Sequence, residues 1–151
     1  MPIAVEVVTQ EKLIFSELEA DMVVVPGAEG VMGVLPHHAP VLTTLGFGEL
    51  IIRKGRAEER FAIYGGVVDI RPNKIVVLAD IAASSFALDE AEAEAARERA
   101  RQQLERAQSE VELQQATTEL RRAELTIRVN RKVRASGPSI RILTDDEVES
   151  N

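Results

Sequence analysis

From Ala82 to Ser136 the chain carries neither glycine nor proline, whereas nearly all of its 9 glycines and 6 prolines fall before Asp80. Glycine opens backbone dihedrals closed to other residues, and proline withholds a hydrogen-bond donor. The first stretch must therefore turn often, and only the second is free to run as long helix. The densest punctuation lies from Val23 to Leu50, VVVPGAEGVMGVLPHHAPVLTTLGFGEL. There Gly27, Gly30 and Gly33 stand three apart after a Val-rich run, Pro36 and Pro40 bracket His37 and His38, and Gly46 and Gly48 mark the return. This pattern predicts a sheet corner made of structural turns at Gly27, Gly33, Pro36 and Pro40.

Sheet is predicted on both sides of that corner. IAVEVV from Ile3 to Val8 is β-branched, Thr9 to Lys12 is polar enough to turn, and LIF follows at 13 to 15. ADMVVV from Ala20 to Val25 reads as a strand halted by Pro26 and Gly27. ELIIR (Glu49 to Arg53) and RFAIY (Arg60 to Tyr64) flank a polar connection at Gly55, which predicts an antiparallel hairpin with a loop longer than two residues. A second hairpin joins Val67–Ile70 to Ile75–Ala79 through Pro72 and Asn73. So many short strands in so little chain indicate a sandwich or a barrel.

Beyond Asp80, Ala, Glu, Arg, Gln and Leu dominate, the residues that lose least on entering a helix. Acid-rich Asp89–Glu94 suits a helix N-terminus, with Ser85 or Asp89 as the cap. The first helix offers a shallow apolar side at Ala91, Ala95, Ala100 and Leu104. Later, Leu113, Ala116, Leu120, Ala123 and Ile127 alternate spacings of three and four, a seam for a second helix. The break between the two is placed near Gln108–Glu112. Arg128, Arg131, Lys132 and Arg134 suit the negative end of the second helix, which Ser136, Gly137 and Pro138 stop. The class is α+β, with residues 1–84 as the β domain, 85–136 as a helical hairpin and 137–151 as a mobile tail in which IRIL is the one strand-like run.

Composition narrows the function. Aromatics make up only 3% with no Trp, and the net charge is -7 with a pI near 5.0. Base stacking and phosphate binding are both disfavoured, which excludes nucleic acid as a partner. Absence of cysteine removes thiol catalysis, disulfides and Cys-ligated metals. No apolar run approaches the roughly 20 residues that span a bilayer, so the chain is expected to be soluble and to meet a membrane only through a partner.

The glycine run fails as a phosphate cradle, because Pro36 and Pro40 intervene where a helix would have to start and no Gly-Lys-Ser/Thr is present. His37 and His38, adjacent in an extended segment, would point in opposite directions and not share a metal. Ser84 and Ser85 lack a general base. No catalytic residue and no metal site is assigned. A β domain with a weakly apolar helical arm is suited instead to exchanging one partner surface for another.

From Ile3 to Val133 the chain resembles the epsilon-subunit family of bacterial F-type ATP synthases. The resemblance is carried by PGAEGVMGVLPHHAPVLTTL (Pro26–Leu45), YGGVVDIRPNKIVVLAD (Tyr64–Asp80) and LDEAEAEAARERA from Leu88 onward. It implies a flattened antiparallel β-sandwich followed by a two-helix hairpin, working without catalytic site or cofactor in the rotary central stalk. The implied partners are the gamma subunit, the c-subunit ring and the catalytic alpha/beta hexamer, on the cytoplasmic face of the bacterial plasma membrane. Glu29, Gly30, Val31 and Met32 match the loop facing the ring, and His38 falls on the gamma-facing side. The helices would restrain ATP hydrolysis, with Arg121, Arg122, Arg128 and Arg131 reaching acidic surfaces. Some relatives bind ATP through an Ile/Leu-Asp-x-x-Arg-Ala motif. Here Glu92 replaces its arginine, so only Asp89 remains of the nucleotide site and weak or absent ATP binding is expected. The rival reading is a free-standing small-molecule-binding sandwich that dimerises through its helices.

Overall fold

Two strands of 14 residues each, β5 (Val41–Lys54) and β6 (Ala57–Ile70), pair antiparallel from end to end and form the spine of the sheet. The structure is a computed structural model, and it describes residues 2–80, 82–84 and 90–135. Each spine strand is longer than its sequence suggests, because Gly65 and Gly66 carry β6 onward at φ 126° and 125° instead of ending it. The hairpin loop at the other end is shorter as well. Lys54 pairs with Ala57, leaving only Gly55 and Arg56 to turn, where a longer loop was expected. Gly55 sits at φ 58°, the positive angle that a two-residue turn of type II′ needs at its first position.

The spine belongs to two layers at once. On one side its β6 end, Gly66–Ile70, pairs with β7 (Lys74–Ala79), β7 with β1 (Ile3–Val8), and β1 with β2 (Leu13–Ala20). On the other side β3 (Met22–Gly27) joins the far half of β5, β4 (Gly30–Val34) joins β3, and β8 (Ala82–Ser84) joins β6 at Phe61–Ile63. Every pair is antiparallel except β1 with β7, which is parallel. Between the layers lie Ile3, Val5, Val7, Phe15, Val23, Leu50, Ile52, Phe61, Ile63, Ile70 and Ile75, each worth about 1.5–3 kcal/mol in removed apolar surface. Phe15 of one layer meets Phe61 of the other edge to face, with ring centroids 5.3 Å apart.

Several sequence expectations are corrected here. Ala20 ends β2 and does not begin β3, while Pro26 and Gly27 remain inside β3, paired with Val31 and Gly30. Proline is tolerated because the β3–β5 ladder is already irregular between Val24 and Gly27. Its ring lies so close to β5 that a Cβ at Gly48 would stand 2.6 Å from Pro26 Cβ. Gly33 is not a turn residue either, since it pairs with Val24 within β4 and has no positive φ. His37 is not extended: it sits at φ 67° in a turn with Pro36, its N–H bonded to Pro72 O at 2.8 Å. Pro40 immediately precedes β5. β8 was not foreseen at all.

Helix α1 (Glu90–Arg106) and helix α2 (Glu110–Ala135) fold on each other, as the sequence predicts. The break at Ala107–Ser109 has a cause. Glu112 N–H donates to Ser109 Oγ (3.1 Å), which makes Ser109 the N-cap of α2, and Glu112 Oε2 accepts from the N–H of Gln108 just before the cap (3.0 Å). On α1 the buried side is Ala93 and Ala100, while Ala91 and Ala95 are exposed. An alanine-rich helix presents several equivalent stripes, and packing, not hydrophobicity, selects one. On α2 the predicted seam holds at Ala116, Ala123 and Ile127, but Leu113 is exposed. Ser85, Asp89 and the tail from Ser136 lie outside the described residues.

The spine is expected to be most sensitive at Gly66, where a Cβ would come within 2.2 Å of Leu78 O at a positive φ. Gly66→Ala should lower the unfolding free energy by ~1–3 kcal/mol from backbone strain alone. Gly33→Ala, which meets only the flexible Met22 Cε, should change it by less than about 0.5 kcal/mol. Urea melts of the two variants side by side check the contrast.

Candidate functional site

Strand alternation leaves the outer face of the second layer with Phe47, Glu49 and Ile51 on β5 opposite Tyr64, Ala62 and Arg60 on β6. Helix α2 lies across this face. Leu125 and Val129 bury Ala62, and Tyr64 packs beside them. This second apolar stripe on α2 was not recognised in the sequence. It sits two residues out of phase with the seam at Ala123 and Ile127, and no period singles it out.

Polar and aromatic contacts then fix the helix in place. Thr126 Oγ1 donates to Arg122 O at 2.9 Å, so the Tyr64 hydroxyl, 2.5 Å from Thr126 Oγ1, is the donor to Thr126. The Arg122 guanidinium lies 5.5 Å from the Tyr64 ring centre and that of Arg121 lies 4.8 Å from Phe47. Each such contact contributes about 0.5–1 kcal/mol at an exposed site. The two rings neighbour each other at 6.0 Å, so the pair of arginines rests on a continuous aromatic platform.

Beyond the platform the contact becomes ionic. Glu49, whose side chain is only 8% exposed, accepts from Arg60 Nη1 at 2.8 Å through Oε2. Its Oε1 is approached from α2 by Lys132 Nζ at 3.1 Å and Arg128 Nε at 3.4 Å. Arg60 is shared with Glu58 at 2.6 Å. A groove of about 620 Å³ opens over this cluster and extends to the β3–β4 turn at Ala28 and Glu29.

Of the arm's predicted arginines, Arg121, Arg122 and Arg128 thus converge on the sandwich itself, while Arg131 is exposed. Among the ring-facing candidates, Glu29 is at the turn, Gly30 begins β4 and Val31 is 74% exposed. Met32 is half-buried and packs against the core. His38 is half-buried with Nδ1 2.8 Å from Ala39 O. It lies just before β5, whose exposed Leu42 shares the outer face of the first layer with exposed Val67 and Leu78, the last two paired across strands. Among the described residues no cluster of His, Asp and Glu is arranged to hold a metal. Asp89 is outside the described residues, and Glu92 is engaged by Arg99 at 2.9 Å. Glu49 and Tyr64 were missed. The available signal was an acid at the head of the apolar run Leu50–Ile52, and the chain's lone tyrosine on the outward parity of its strand.

Residues 2–85 match the family model described as ATP synthase, Delta/Epsilon chain, beta-sandwich domain, and residues 87–129 match the long alpha-helix domain of the same chain. The ATP synthase epsilon chain of Desulforamulus reducens is 44% identical over 99 residues, covering 66% of this chain and 74% of that one. That of Herpetosiphon aurantiacus is 44% identical over 104 residues, covering 69% and 76%. In fold, the chain is similar to one in the cryo-EM structure of Euglena gracilis mitochondrial ATP synthase (OSCP/F1/c-ring, rotational state 1), with TM-score 0.73 and 20% identity over 89% of this chain and 81% of that one. A sandwich whose outer face seats a helical hairpin, matched domain by domain at these levels, establishes that the chain belongs to the ATP synthase delta/epsilon chain family.

Proposed function

We propose that this chain is the non-catalytic epsilon subunit of a rotary F-type ATP synthase, a central-stalk part that couples ion translocation to ATP synthesis and restrains ATP hydrolysis through its helices. The observation that carries this reading is the seat of α2. The arm is held by a small apolar patch, two arginine–aromatic contacts and a charge cluster. Contacts of that kind are individually modest and exchangeable, which suits an arm that trades one surface for another.

The partners follow from the surfaces. Residues 1–84 form the coupling body. The exposed strip of Leu42, Val67 and Leu78, with His38 beside it in sequence, is the face offered to the gamma subunit, and large apolar side chains exposed together on one sheet face favour a protein partner. The turn with Glu29, Gly30 and Val31 is offered to the c-subunit ring. Residues 85–136 are the regulatory arm, whose Arg121, Arg122, Arg128 and Arg131 would meet acidic surfaces of the alpha/beta hexamer once released. Residues 137–151 are a tail without an assigned role. Among the described residues no helix is long and apolar enough to cross a membrane. The proposed place is peripheral, on the cytoplasmic face of the bacterial membrane, held by the partners.

ATP is not expected to stabilise the folded arm. Glu92 puts a negative charge where the nucleotide-binding relatives carry an arginine, and Arg99 is already drawn to it. Calorimetric titration of the isolated chain should show no stoichiometric heat at micromolar ATP, and tight uptake would refute the reading of Glu92.

The regulatory role is tested by ending the chain after Ser84, the last residue of β8, and reconstituting the complex in membranes. Coupled synthesis should persist while hydrolysis rises. Hydrolysis equal to that of the full-length complex would remove the inhibitory role.

A further inference from the structure

We infer that Glu49 is the latch that holds α2 on the sandwich, and that competition for one of its two oxygens is what frees the arm. This deepens the regulatory reading above, although the latch itself is a property of the isolated chain. Oε2 of Glu49 is committed within the sheet, 2.8 Å from Arg60, and Arg60 is in turn held by Glu58 at 2.6 Å. Both members of the Glu49–Arg60 pair sit on the paired strands β5 and β6, so this half of the cluster belongs to the sheet and does not need the helix to bring it together.

The other oxygen faces outward. Oε1 receives Arg128 and Lys132, one turn apart on α2, and their side chains are 59% and 51% exposed. The groove between the β3–β4 turn and the helix brings solvent directly to them. Salt and competing carboxylates therefore reach the helix side of the cluster but not the sheet side. The apolar remainder of the seat is small, being essentially Leu125 and Val129 on Ala62 and Tyr64. When the arm leaves, Arg60 remains to neutralise Glu49, so departure does not strand a buried unpaired charge. The two cations that leave are free to engage any acidic protein surface offered to them.

The chain contains its own reporter, because Tyr64 is its single tyrosine, it has no tryptophan, and Tyr64 lies under Arg122 and against Thr126. Tyrosine fluorescence of the full chain with acrylamide as quencher is followed from about 0.02 to 0.5 M sodium chloride. In the wild type, Tyr64 becomes more accessible as salt rises. The double variant Arg128→Gln, Lys132→Gln should raise the undocked population roughly fivefold at low salt and flatten the salt response. It keeps the Glu49–Arg60 pair, so damage to the sheet cannot imitate the result, and a thermal melt of the sandwich should be unchanged. Glu49→Gln should reproduce the flattened response. A double variant with wild-type quenching and wild-type salt dependence overturns the latch. If Tyr64 is released yet hydrolysis by the reconstituted complex does not change, the latch stands and the regulatory reading of the arm falls.

Discussion

The structure depends on the β5–β6 pairing, because these two strands alone belong to both layers. Their register, Leu50 against Phe61 and Thr43 against Val68, determines which side chains enter the core on each side of the bend. Core positions on β6 are Phe61 and Ile63 before the glycine pair and Val68 and Ile70 after it, so the inward parity changes across Gly65 and Gly66. A strand with a strict period of two cannot do this, and only residues without a Cβ pass the chain so near Leu78 and Ala79. The outward parity that results places Phe47, Glu49, Ala62 and Tyr64 together on one surface. Sheet register and arm docking are thus one constraint seen from two faces.

That constraint explains what could and could not be read from the sequence. Element types were legible where local chemistry decides them: Val-rich runs are strands, and within the stretch free of glycine and proline Glu90–Arg106 and Glu110–Ala135 are two helices, parted just before the cap at Ser109. The spine was read as shorter pieces because glycine more often ends a strand than bends it, and the close approach that makes Gly66 a bend involves Leu78, twelve residues away in sequence. Pro26 was read as a stop because its tolerance depends on an irregular ladder to β5, a tertiary fact.

The candidate site was less legible for the same reason. Arg121, Arg122 and Arg128 were singled out as arm residues, but their partners on the sandwich come from strands about sixty to eighty positions earlier, and no helical period encodes that meeting. The HHAP and glycine-rich segments carry the family resemblance, whereas the docking face exists only where the arm meets strands far from it in sequence. Glu49 illustrates the difference. In sequence it is an acid that dilutes a strand, whereas in the fold it is a nearly buried acceptor served from two elements.

The parallel pairing of β1 with β7 has a consequence for biogenesis. Ile3, Val5 and Val7 stand about 70 residues ahead of their partners in Lys74–Ala79 (Val5 pairs with Ile75), so one edge of their strand is covered only once that later strand is made. A β1–β2 ribbon without β7 would present one open edge and an apolar face, features that invite pairing with another chain. Closure of the sandwich therefore rests on a pairing between strands far apart in sequence, a class of contact that forms slowly in general.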